Sequence, residues 1–122
     1  MSGVVAAGHE LTARAAEIIL REGGNAFDAA LGALAAACVV EPVLASLGGG
    51  AFLLAQPADG SARVYDCFVQ TPIRRRAVSE TDFRPIIADF GSAEQEFHVG
   101  NGSIATPGVV RGLFAVHRDL GR

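Results

Sequence analysis

The feature that most restricts this chain is a run of twelve residues without a charge, Ala29 to Val40, bounded by Asp28 on one side and Glu41-Pro42 on the other. The run is apolar all round, so as a helix it must be covered on several sides. A membrane span needs about 20 such residues, so the expectation is a buried helix and no membrane partner. Asn25 stands at the N-cap position, with Asp28 in the first turn, where a carboxylate suits the helix dipole. Pro42 cannot continue the helix. With 22 alanines and 15 glycines against eight aromatics in 122 residues, the core is expected to form by close approach of backbones.

The flanking sequence supplies further elements. Gly3 to Ala7 reads as a short buried strand. Glu10 to Glu22 reads as an amphipathic helix whose apolar side is Leu11, Ala15, Ile18, Ile19 and Glu22. Gly23-Gly24 ends it where the backbone must turn to positive φ. After the turn Ser46 to Gly50, a strand is expected over 51–55. A turn at Pro57 to Gly60 leads to a return strand over 62–69, which completes a hairpin. Asp82 to Phe90 reads as extended and Ser92 to Glu96 as a loop. Thr106-Pro107 is expected to open the last helix. Its face would be Val110, Leu113, Phe114 and His117, widened by Val109, Val116 and Leu120, with Gly121 as the stop. The sum is one α/β (α+β) domain without a linker, a repeat or a low-complexity tract.

The charge-bearing and nucleophilic residues form no self-contained active site. Ten arginines, no lysine and thirteen acidic residues give a net charge of −3, which argues against a nucleic-acid partner. His9, His98 and His117 have no partner at ligand spacing, so neither a metal nor another cofactor is expected, and the histidines read as structural. Cys38 and Cys67 lie in apolar stretches and read as free buried thiols. Gly48-Gly49-Gly50 lacks phosphate-loop spacing and precedes a strand, so it reads as a tight connection. Arg74-Arg75-Arg76 is either a solvated loop, a subunit contact or an anion site. Ser46, Thr71, Ser103 and Thr106 have no base nearby in sequence. No signal peptide is visible, which makes the cytoplasm the default location.

One resemblance goes further. Gly23-Gly24-Asn25-Ala26 followed by Asp28-Ala29-Ala30, then Val40-Glu41-Pro42, then Leu47-Gly48-Gly49-Gly50 with Phe52-Leu53-Leu54, resembles the amino-terminal region of the γ-glutamyltransferase (γ-glutamyltranspeptidase) family. Asp66 with Thr71-Pro72, and Ser103 to Gly108 with Gly112, resemble later segments in the same order. The resemblance implies an N-terminal nucleophile hydrolase, an αββα sandwich that cuts its own precursor into a large and a small subunit. A threonine freed by the cut is the nucleophile and its own α-amino group the base. The reaction moves a γ-glutamyl group from glutathione or a related amide to water or an amino acid. On this reading the chain is an incomplete N-terminal portion of the large subunit over residues 1–122, inactive alone. It would be a fragment, a truncated frame or one piece of a larger product. Its partners would be the rest of the large subunit, the small subunit and a small-molecule amide.

The sequence departs from the family pattern at one informative place. The family's hairpin end carries an arginine two residues after the aspartate, followed by a glutamate, and that arginine clamps the substrate α-carboxylate. Counted from Asp66, and in agreement with Pro72, those positions hold Phe68 and Val69. Phe68 is therefore the substrate-binding candidate, and a phenyl ring cannot pair with a carboxylate. Three readings follow: altered acyl specificity, compensation by Arg74 or Arg75, or loss of activity. Beside the enzyme reading stand an acylase acting on a different amide and a non-catalytic interaction module.

Overall fold

The computed structural model describes residues 3–122, which fall into two compact units. The first comprises the chain up to Val69 together with Pro107–Arg122; the second is Gln70–Thr106.

In the first unit, α1 (Glu10–Arg21) and α2 (Ala26–Val40) form a helical hairpin. His9 caps α1: its Nδ1 accepts from the Leu11 backbone N–H at 3.1 Å. Glu10 in the first turn and Arg21 in the last complement the helix dipole. Gly23 turns the chain at φ +98°. Asn25 and Asp28 then build a reciprocal capping box: Asn25 Oδ1 accepts from the Phe27 and Asp28 N–H groups, and Asp28 Oδ2 accepts from the Asn25 N–H. A side chain at Gly32 would overlap Ile19, so its absence sets the close packing of α1 on α2. Buried Thr12 ties the other end of the pair, its Oγ1 donating to Glu41 Oε2 at 2.7 Å.

A hairpin of β1 (Ala51–Ala55) and β2 (Arg63–Cys67) follows, antiparallel, with Phe52 opposite Asp66 and Leu54 opposite Val64. The last helix of this unit, α3 (Val109–Leu120), packs on α2 and β2. It buries Val109, Gly112 and Val116. Asn25 reaches across to its end, Nδ2 donating to the Leu120 carbonyl at 2.7 Å, while Asp28 Oδ1 accepts from the Arg122 N–H at 3.3 Å.

The second unit is the antiparallel pair β3 (Arg84–Asp89) and β4 (Glu94–Val99) with two 3-10 turns, Val78–Glu80 and Asn101–Ser103. Its two ends meet in a bridge: the Gln70 N–H donates to the Thr106 carbonyl at 3.0 Å, and the Thr106 N–H to the Gln70 carbonyl at 2.7 Å. None of its residues is buried.

Several expectations are corrected. Gly3 to Ala7 is not a strand and has no ladder partner among the described residues. Ser92 to Glu96 is not simply a loop, because Glu94 already begins β4. Its polar run hid a strand because both faces of this pair are open and no apolar alternation is needed. α1 ends at Arg21 with Glu22 as its cap, and it buries Thr12 and Ala16 while Leu11 and Ile18 stay exposed. Of the expected face, Ile19 is the residue that reaches α2, where it packs over Gly32. α3 starts at Val109 behind Gly108, without a side-chain cap. The Gly108 and Val109 N–H groups donate to the Gly49 carbonyl instead, at 3.1 and 3.3 Å. Its buried face is Val109, Gly112 and Val116, whereas Phe114 and His117 are exposed. α2 buries only Ala29 and Ala37, and Val39 is 77% exposed. Coverage on every side is thus not met by the described residues.

Candidate functional site

The end of β2 is closely packed in the first unit. Three glycines from two distant segments close on Cys67, Phe68 and Val69. A Cβ at Gly50 would lie 2.8 Å from the Val69 nitrogen and 2.8 Å from Phe68 Cδ2. One at Gly108 would overlap the carbonyls of Cys67 and Phe68, and one at Gly112 would overlap the Cys67 side chain. The glycine triplet is the tight connection expected, and it has a second use: its last member makes room for residue 68. Gly49 joins the same clamp by accepting from the start of α3. Asp66 completes it, Oδ1 accepting from the Phe68 N–H at 3.0 Å. The backbone that presents residue 68 is therefore fixed from both sides.

The side chain presented there is a phenyl ring. Phe68 is half exposed and stacks on Phe52, centroid to centroid 5.4 Å with the planes 13° apart. Strand register places Phe52, Leu54, Val64 and Asp66 on one face of the hairpin, and Phe68 continues that alternation. The opposite face carries Cys67 against Gly112 and Tyr65, whose hydroxyl donates to Asp119 of α3 at 3.3 Å. Burial, and then the neighbouring Asp66 charge, push the Cys67 thiol above its ordinary range, so this free cysteine is a poor nucleophile. Cys38 is likewise unpaired.

Arg74 and Arg75 belong to the second unit. With Arg76 they line an open groove of about 540 Å³ that also includes Glu80 and Asp82. His9 caps α1 and His98 stacks on Phe83 at 4.3 Å between centroids, whereas the His117 side chain is exposed. Ser46 Oγ accepts from the Gly48 N–H, and Ser103 Oγ donates to the Gly100 carbonyl. Among the described residues, no histidine or carboxylate hydrogen-bonds to Ser46, Thr71, Ser103 or Thr106. No group of three metal-ligating side chains occurs there either.

Counting from Asp66 singles out Phe68 as a candidate, and the structure adds Phe52 as its ring partner. The available signal was position: in a two-residue alternation, Phe52 shares a face with whatever residue lies opposite it and two places beyond. Gly108 and Gly112 were legible as a motif, and their steric purpose emerges only from the packing.

Known proteins align with this arrangement. The sequence model of the family described as gamma-glutamyltranspeptidase matches residues 12–122. A glutathione hydrolase proenzyme from Pseudomonas aeruginosa is 33% identical over 121 residues, 98% of this chain and 20% of the relative. An acylase proenzyme from a Pseudomonas strain is 33% identical over 111 residues, 90% of this chain and 20% of the relative. Among solved structures, a gamma-glutamyltranspeptidase from Pseudomonas nitroreducens complexed with L-DON superposes with a TM-score of 0.76 at 29% identity. It covers 98% of this chain and 34% of the other. The chain spans a fifth or less of the length of the first two curated relatives it matches.

Proposed function

The chain belongs to the γ-glutamyltranspeptidase family, and from that premise we propose that it is the front of the large subunit of a self-processing amidohydrolase or acyltransferase with altered acyl specificity. Its fold is mixed helix and sheet, a portion of the fold of that family. Relatives that bear the word proenzyme in their names support a partner made from the same precursor. The apolar face of the hairpin, with Leu54 and Val64 exposed beyond the ring pair, is a surface that the rest of such a precursor would cover in part.

The observation that carries the specificity clause is Phe68. It occupies the place where the resemblance puts a carboxylate-binding arginine, and its backbone is clamped by Gly50, Gly108 and Asp66. A fixed backbone cannot shift to bring another side chain into that place. A donor that relied on a charge-assisted pair there would lose roughly 1.5–3 kcal/mol of binding. The acylase relative favours a second reading of the same site, in which the amide is that of an acylase substrate. Compensation by Arg74 or Arg75 is the competing account.

The test is Phe68→Arg in the full-length, self-processed enzyme. Hydrolysis of γ-glutamyl p-nitroanilide should rise at least tenfold in kcat/KM relative to a neutral acyl anilide. An unchanged ratio would sink the clamp argument. A parent enzyme whose γ-glutamyl activity collapses on Arg74→Gln or Arg75→Gln would establish compensation instead.

A further inference from the structure

We infer that Phe52 is a second specificity residue, and that the Phe52–Phe68 pair with Asp66 selects a neutral, aromatic acyl group of the arylacetyl class. The inference rests on the reading that residue 68 borders the acyl group of the substrate.

Three observations carry it. The two rings lie nearly parallel, 13° apart, and remain 64% and 50% exposed after stacking on each other. A pair of aligned aromatic faces offers flat apolar area, which favours another flat apolar group through dispersion and offset stacking. The second observation is electrostatic. Asp66 lies directly opposite Phe52 in the ladder, on the same face as both rings. Arg63, the cation of this hairpin, alternates to the other face, opposite Ala55. The charge beside the rings is therefore negative, so a donor carboxylate meets repulsion where the family pattern supplies attraction. The third is rigidity. Asp66 spends one oxygen on the Phe68 N–H, and Gly50 packs against the edge of the Phe68 ring. The ring pair is held in place before any ligand arrives, and such pre-organisation favours a rigid planar ligand over a flexible chain.

Phe52 also faces the side of the hairpin that a second sheet would cover, so packing and specificity must be separated by experiment. The full-length processed enzyme is assayed with phenylacetyl, butyryl and γ-glutamyl p-nitroanilides. The parent should prefer phenylacetyl over butyryl by about tenfold in kcat/KM, the range expected of one aromatic contact. Phe52→Leu should remove most of that preference, bringing the phenylacetyl-to-butyryl ratio of kcat/KM towards one. Equal losses on both donors would overturn the inference and leave Phe52 as a packing residue. If γ-glutamyl anilide is the best of the three donors and Phe68→Leu leaves the donor ratios unchanged, the underlying reading of residue 68 fails as well. A substitution-free measurement guards against a variant that does not fold: phenylacetate should inhibit the parent at about tenfold lower concentration than butyrate. Equal inhibition by the two acids overturns the inference.

Discussion

The two units are held together by different means. In the first, missing side chains do the positioning. Gly32, Gly50, Gly108 and Gly112 each sit where a Cβ would strike a neighbour, and small residues such as Ala16, Ala29, Ala37 and Ala55 supply much of the buried core. In the second, no residue is buried, and order comes from the β3–β4 ladder, the bridge between Gln70 and Thr106, and ring contacts on the surface. Phe83 lies flat on His98, and Phe90 meets Phe97 edge-on at 6.5 Å. The comparison teaches where tolerance lies. A backbone clamped by glycines transmits any added atom directly, while a ladder with two open faces absorbs side-chain changes. The Phe68 ring extends beyond Cβ from such a clamped backbone. There the side chain's tip can change without moving the fold.

The largest effect should come from Gly112→Ala. The new methyl would overlap the Cys67 side chain, whose Cβ lies 2.5 Å from the ideal methyl position. The expected loss is about 3 kcal/mol, read as a lower denaturation midpoint together with faster hydrogen exchange across the first unit. Adding Cys67→Gly should return part of that loss, because it removes the atoms being struck. If Gly112→Ala melts at the parent's temperature, the clamp is looser than described and the contrast between the units breaks.

An intermediate effect is expected at Asn25. Replacing it with alanine removes the cap of α2 and the tie to Leu120 together, for about 1–2 kcal/mol. Asn25→Asp separates the two roles. An aspartate still accepts from the Phe27 and Asp28 N–H groups, but has no donor for the Leu120 carbonyl. Exchange should then quicken at the end of α3 while the start of α2 stays protected. Equal quickening at both places would show that the side chain acts as one unit.

The smallest effect should be Ile87→Thr in β3. Ile87 is 60% exposed, and threonine keeps the β-branch, so the change in stability should stay within about 0.5 kcal/mol. A larger loss would mean that this face of the ladder is covered in the complete protein, and the contrast would narrow.

The sequence made some of this architecture plain and concealed the rest for physical reasons. Capping and turn signals are local, so Asn25, Asp28 and Gly23 were readable one residue at a time. The hairpin over 51–69 was readable because its strands are bounded by glycine and by a proline turn. β4 was not, because Glu94-Gln95-Glu96 carries no apolar alternation when neither face is buried. On α3 the expected Val109 and Val116 are buried, but on both α1 and α3 part of the expected apolar face, Leu11, Ile18 and Phe114, stays exposed. In this unit alanines share the interior with Val109 and Val116, and the larger side chains lie at its edge. The candidate site was half legible. Phe68 followed from a count, whereas its stacking on Phe52 and the clamp behind it depend on segments roughly 16 and 40 residues away along the chain.

The double role of Asn25 also bears on how the protein is made. A ribosome delivers α1 and α2 before α3, and the Oδ1 half of the Asn25 cap can close as soon as Asp28 has emerged. The Nδ2 half must wait for Leu120, 95 residues later. At about 5–20 residues per second, the wait is roughly 5–20 s of synthesis. One side chain thus takes part in a local contact that closes within three residues and in a long-range one that closes 95 residues later. During that interval the α2 cap is closed while the contact that ties it to the end of α3 is still open.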